Sequence, residues 1–192
     1  MVIVLALVLW ILGILLTAAA LAAVLVAVRR DRPLLALPAL VLVLLGLVLV
    51  AGGVAVPAPT RVLPLIEALL LSGIGIVGGG PLTVAVLARV TRDDEPQGEH
   101  GGILVHAEGI TGDAAREVLR GGGVIGYLER IAVVGAVAVG RPEALAIVVA
   151  IKGLGRFSEL ETSAARERFI IGTLVSLIWA CACGGLVWAQ LR

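Results

Sequence analysis

Apolar residues run along this chain in blocks far longer than the buried stripe of a soluble helix. Val2–Val28 and Leu34–Val56 contain no charged residue, and Val62–Val90 holds only Glu67 and Arg89. A hydrocarbon core about 30 Å thick is crossed by about 20 apolar helical residues, so each block predicts a membrane span. The first block lacks a basic n-region before it and exceeds the apolar core of about 7–15 residues expected of a signal peptide, so it reads as an uncleaved anchor. Arg29-Arg30-Asp31-Arg32-Pro33 separates the first two spans, and Pro57-Ala58-Pro59 the next two. Gly78-Gly79-Gly80-Pro81 predicts a kink or break in the third block. That leaves Leu63–Gly80 as the span and Leu82–Val90 as an interfacial continuation.

Thr91–Gly112 is polar and reads as a loop. A short helix over Asp113–Arg120 follows, with Asp113 or Thr111 as its cap. Val124–Val139 and Glu143–Phe157 predict a helical hairpin about the Gly140-Arg141-Pro142 turn. Its arms are short and charged, so it either crosses twice or re-enters from one side. Polar Ser158–Arg168 then leads into the last span, Phe169–Leu191. The expected architecture is one all-α integral membrane domain, a polytopic bundle of about six transmembrane helices. Its parts are three apolar spans over 1–90, a cytoplasmic loop with a short helix over 91–120, and the charged hairpin and last span over 121–192.

Composition agrees with the pattern. Hydrophobic residues make up 60% of the 192 positions, against roughly 45–50% in soluble domains even with glycine counted. A soluble chain of this size buries about 70% of its surface and could not hide so much apolar side chain. The net charge of +1 leaves no electrostatic footprint for nucleic acid. The basic residues orient the bundle. With the amino terminus outside, ten arginines fall on the inner side (29, 30, 32, 89, 92, 116, 120, 156, 166 and 168), and three on the outer side (61, 141 and 192). This asymmetry predicts a cell-membrane protein with both termini outside and loop 91–120 in the cytoplasm. Cys181 and Cys183, two residues apart on a helix, point to different faces, so no disulfide is expected between them.

No phosphate loop, zinc-protease helix, paired-cysteine or serine-hydrolase motif occurs. His100 and His106, with Glu99 and Glu108, have no regular ligand spacing and read as solvated loop residues. No cofactor, metal or catalytic residue is expected. The informative residues are charges at membrane depth, where each costs at least ~2.5–3.5 kcal/mol unless it is paired or lines a polar path. Counting outward from the Gly140 turn sets residue 130 opposite residue 151. Glu129, Arg130 and Lys152 therefore share one depth, and Arg156 lies one turn further on the face of Lys152. A Glu129–Lys152 pair would leave Arg130 to find a carboxylate, a lipid phosphate or water. The cluster reads either as an ion-pair lock on the hairpin or as a site for an anion, a lipid head group or a proton. Glu67 and Glu143 are boundary residues, or extend such a polar path outward.

Gly172, Ser176, Ala180 and Gly184 form a small-residue stripe, and Gly122 and Gly126 offer a similar face. Such stripes let membrane helices approach closely, within one protein or across an oligomer seam. Trp188 fits an outer-interface anchor, and Phe157 and Phe169 an inner one.

Three carboxy-terminal stretches, IGYLER (Ile125–Arg130), AIKGLGRFSEL (Ala150–Leu160) and ERFIIGTLVS (Glu167–Ser176), carry a family resemblance. In this third of the chain it resembles uncharacterised small bacterial multi-pass membrane proteins. The resemblance implies a bacterial membrane location and a shared unit of the last three helices, and supplies no reaction, cofactor or catalytic residue. The expected function is a non-enzymatic accessory or partner-binding membrane subunit. Its expected partners are the bilayer, an anionic lipid, and a second copy or another protein. The alternatives are a small transporter or channel for an ion, anion or lipid head group, and a membrane-embedded enzyme.

Overall fold

The structure, a computed structural model, describes residues 2–90, 103–105, 116–118, 122–156 and 163–192. Among these, six helices form in chain order: α1 (Val2–Arg29), α2 (Leu37–Ala51, entered through a 3-10 turn at Pro33–Ala36), α3 (Val62–Val90), α4 (Gly122–Ala138), α5 (Ala144–Arg156) and α6 (Ser163–Leu191). Those carrying Val2–Arg29, Pro33–Ala51, Val62–Val90 and Arg166–Leu191 are long and apolar enough to cross a membrane. The hairpin arms α4 and α5 have 17 and 13 residues. At 1.5 Å per residue, their described residues span about 26 and 20 Å.

The chain stops its helices with backbone chemistry legible in the residues. Gly53 and Gly140 adopt φ of 70° and 73° just beyond α2 and α4. The Val54 amide donates back to Leu49 O and the Arg141 amide to Ala136 O, satisfying carbonyls left open at each helix end. The same closure ends α1, where the Arg32 amide reaches Ala27 O and Asp31 takes φ 49°. Asp tolerates this left-handed geometry better than most side chains. Gly52-Gly53 ends α2 at Ala51, five residues before the Val56 boundary expected from the apolar pattern.

Two expectations are corrected. The Gly78–Pro81 run does not break the third helix, which continues to Val90 with Pro81 inside it. Two of these glycines instead remove side-chain bulk where neighbours press on α3. A Cβ at Gly78 would lie 3.1 Å from the Trp179 ring, and one at Gly79 would lie 2.5 Å from Arg130 Cδ. The second correction concerns Asp113–Arg120. Its described part, Arg116–Val118, is a strand (β2) paired antiparallel with Ile103–Val105 (β1), Leu104 opposite Glu117. An eight-residue helix is marginal alone, whereas Ile-Leu-Val favours an extended partner.

α3 and α6 pack at the centre, with α1 on α3, α4 against both, and α2 against α1 and α6. α5 packs on α4. Small side chains share the buried contacts with Val, Leu, Ile and Trp: Ala20, Ala27, Ala39, Ala180 and Cys183 are buried beside Val24, Val43, Ile74 and Trp179. Large ones such as Leu15, Val41, Val48, Leu69, Ile147 and Ile178 point outward, as expected of a surface facing acyl chains rather than water. The small-residue stripe of α6 is used inside the protein. A Cβ on Gly172 would meet Thr83 at 3.3 Å, and one on Gly184 would lie 2.9 Å from Val137 Cβ and 3.2 Å from Val134 O.

This packing predicts a contrast between two glycines. Gly184→Ala forces α4 and α6 apart and should cost about 1–3 kcal/mol. Gly135→Ala, where nothing lies within 4 Å of the added Cβ, should leave stability unchanged or slightly raised. Thermal unfolding of both variants in detergent checks this, and equal melting temperatures would contradict it.

Candidate functional site

Adjacent residues on a helix point about 100° apart, and this splits the expected four-residue charge cluster. Glu129 turns toward α5 and receives a hydrogen bond from Lys152 Nζ at 2.5 Å. The side chains are 11% and 18% exposed, respectively, and the ammonium lies 5.7 Å from the Phe169 ring centre. The register counted from the Gly140 turn is therefore the register found. Arg156 belongs to α5 by its backbone, and its side chain lies outside the described ones.

Arg130 turns the other way, between α3 and α6, and is 6% exposed. Its Nε donates to Ile76 O at 2.5 Å, and its Nη1 to Ser176 Oγ at 3.4 Å. The guanidinium lies over the Tyr127 ring, 4.9 Å from the centroid. A Cβ on Gly126 would stand 3.1 Å from Nη1. Gly126 thus makes room for a side chain of its own helix rather than for a partner helix. Gly122 is the first residue of α4. One carbonyl, one hydroxyl and one aromatic face receive the arginine.

Glu67 and Glu143 do not continue this cluster into a path. Glu143 is exposed at the hairpin turn, 3.5 Å from Arg141 Nη1. Glu67 and the Arg130-binding carbonyl of Ile76 are nine residues apart on α3. That is two and a half turns and about 14 Å of rise, which sets them on opposite faces. Glu67 faces α1, where the Thr17 hydroxyl donates to its Oε1 at 2.6 Å.

Glu67 also lines a feature that the linear pattern does not reveal, a cleft of about 990 Å³ between α1, α2, α3 and α6. Leu9, Leu42, Leu49 and Leu186 contribute apolar wall, with Thr17 and Glu67 in the lining and Arg61 and Arg192 toward the ends of their segments. The guanidinium of Arg192 stacks on Trp188 at 3.8 Å. Trp188 Nε1 would in turn lie 3.2 Å from a Cβ on Gly140, so the tryptophan stands beside the hairpin turn. Trp10 Nε1 donates to Val56 O at 3.2 Å, both residues belonging to the cleft lining. The volume lies at the upper end of the ~300–1,000 Å³ typical of small-molecule sites. A polar signal for this region did exist in the sequence. Thr17 and Glu67 are isolated polar residues in otherwise apolar runs, and such residues seek one another in a bilayer.

Among the described residues no group of three His, Cys, Asp or Glu is placed to hold a metal ion; His100 and His106 lie outside those residues.

The Glu129–Lys152 pair is expected to hold α5 on α4. Glu129→Gln and Lys152→Met each leave one charge without its counterpart, so each single change should destabilise the protein more than the two combined. Exchanging the charges, Glu129→Lys with Lys152→Glu, should recover most of the loss. Melting temperatures of the four variants in nanodiscs measure this, and a double variant as impaired as the sum of the singles would refute it.

Compared with family models, with curated proteins and with solved structures, the chain matches none.

Proposed function

We propose that this protein is a non-enzymatic membrane protein that binds an amphipathic, lipid-like molecule in the cleft between α1, α2, α3 and α6. The observation that carries this reading is the cleft itself, about 990 Å³ with leucine-rich walls and two arginines in its lining. Such walls suit an apolar chain. Arg61 and Arg192 suit an anionic group, each contributing about 1 kcal/mol near a membrane surface. The intramembrane charges of α4 and α5 support the choice by their own occupation, since Glu129 and Lys152 satisfy each other and Arg130 is held by Ile76 and Ser176. An accessory-subunit role would draw on the small-residue stripe of α6, and that stripe packs on α3 and α4.

The arginine distribution gives the cleft its side. Arg29, Arg30, Arg32 and Arg89 gather at one end of the bundle, and the cleft arginines Arg61 and Arg192 at the other. By the positive-inside rule the first end is cytoplasmic, and the cleft receives its ligand from the outer leaflet. Introduced cysteines test this in a background lacking Cys181 and Cys183. Ala58→Cys should react with a membrane-impermeant maleimide in intact cells, and Arg30→Cys only after permeabilisation. The opposite pattern would reverse the orientation.

Native mass spectrometry of protein extracted with its own lipid tests the binding reading. One lipid-like molecule per chain should be retained. Arg61→Gln combined with Arg192→Gln should weaken retention by about 30-fold, from roughly 1 kcal/mol per arginine. Gly13→Leu should displace the molecule, because Gly13 lines the cleft and nothing lies within 4 Å of an added Cβ there. An unliganded wild-type chain, or a Gly13→Leu chain retaining the same molecule, would sink the proposal.

A further inference from the structure

Three oxygen atoms where α1 meets α3 stand within hydrogen-bonding distance of one another in a row. Thr17 Oγ1 lies 2.6 Å from Glu67 Oε1 and 3.0 Å from the Gly13 carbonyl oxygen. A threonine hydroxyl carries one proton. Were Glu67 ionised, both neighbours of that hydroxyl would be pure acceptors. Its proton would serve one contact, and the other would set oxygen lone pairs against each other. Two hydrogen bonds through one hydroxyl oxygen need a second proton, and in this trio only a carboxylic acid can supply it.

The surroundings agree. Glu67 is 8% exposed, and its Oε2 is sealed off with no hydrogen-bond partner among the described residues. A carboxylate has room for several donors; this one would have a single hydroxyl. No ion pair joins it to a cation among the described residues. The neighbouring elements bring few charges. α1 has none along Val2–Val28, α2 none along Leu37–Ala51, and α6 none between Phe169 and Leu191. On its own segment Arg61 is six residues away, about 9 Å of rise, and Arg130 meets α3 about 14 Å further along on the opposite face. Arg192 follows the end of α6. An isolated charge in so apolar a place takes up a proton rather than persisting.

We infer that Glu67 is a proton-binding site: at neutral pH it is a carboxylic acid whose O–H donates to Thr17 Oγ1, while the Thr17 hydroxyl donates to Gly13 O. The bond at Oε1 then runs from glutamate to threonine, the reverse of the direction that a carboxylate would impose. α1 and α3 are joined by a neutral chain of two hydrogen bonds. The proton belongs to this trio of oxygens whether or not a ligand occupies the cleft. It also sets the charge of the cleft. With Glu67 neutral, Arg61 and Arg192 are the charged residues of the lining, and an anion there meets no negative group.

Infrared spectroscopy of the full-length protein in maltoside micelles, which contain no ester carbonyl, tests this. At neutral pH the wild-type spectrum should show the carbonyl stretch of a protonated carboxylic acid, a band that carboxylates lack. Glu67→Gln should remove it. Glu129→Gln should leave it in place, which separates Glu67 from the other buried carboxyl group. Thr17→Val should keep the band and move it to higher frequency, because the acid loses its acceptor. A wild-type spectrum without the band at neutral pH overturns the inference and needs no variant to fold. A band that survives in Glu67→Gln, or disappears in Glu129→Gln, belongs to another carboxyl group and also overturns it. Should Glu67→Gln fail to fold, Thr17→Val makes the assignment, and a band unmoved by that change overturns the inference. None of these outcomes touches the cleft reading, which is tested by retention of a ligand.

Discussion

Inside a bilayer a hydrogen-bonding group cannot turn to water, so a partner within the protein is worth more there than it is at an aqueous surface. The arrangement of these helices follows from that preference. Arg130 joins three helices because its guanidinium takes its acceptors from α3 and α6. Trp179 joins α6 to α3 through its indole N–H and Ile74 O, 3.1 Å apart. Thr17 ties α1 to α3 through Glu67, and Lys152 ties α5 to α4 through Glu129. Each link needs helix backbones close enough for a side chain to span the gap. The glycines and alanines at the contacts supply that closeness.

One consequence is that glycines at membrane depth serve unlike ends. Gly75 and Gly184 let helices touch: a Cβ at Gly75 would stand 2.8 Å from Cys183 Cβ. Gly78 and Gly79 make room for an indole and for the stem of an arginine. Gly53 and Gly140 supply the left-handed turn that ends a helix. Composition alone records these as one residue type, and only the neighbours distinguish them.

This explains what was legible beforehand. The long apolar helices could be read because hydropathy over some twenty residues is a local property, and the all-helical architecture followed. The Glu129–Lys152 pair was legible because a tight turn fixes the register of the two arms beside it. The direction of Arg130 was not, since it depends on which neighbour α4 meets on each face, and α3 and α6 are distant in sequence. The glycine–proline run misled for the same reason: its purpose lies in Trp179 and Arg130, about 100 and 50 residues away. Beyond the isolated polar residues Thr17 and Glu67, the cleft was illegible, being a space left between four helices rather than a property of any one.

The central contact between α3 and α6 also bears on how the chain is made. The bonds that join the helices have sequence separations of 23 for Lys152 with Glu129, 50 for Thr17 with Glu67, 54 for Arg130 with Ile76 and 105 for Trp179 with Ile74. As helices leave the ribosome in order, α1 and α3 can close their hydrogen bond early. Trp179 emerges last of these residues, so Gly78 of α3 lacks the indole it accommodates until α6 has been made. The α3–α6 contact is thus the last of these links that synthesis makes available, after those of α1 and α4 to α3.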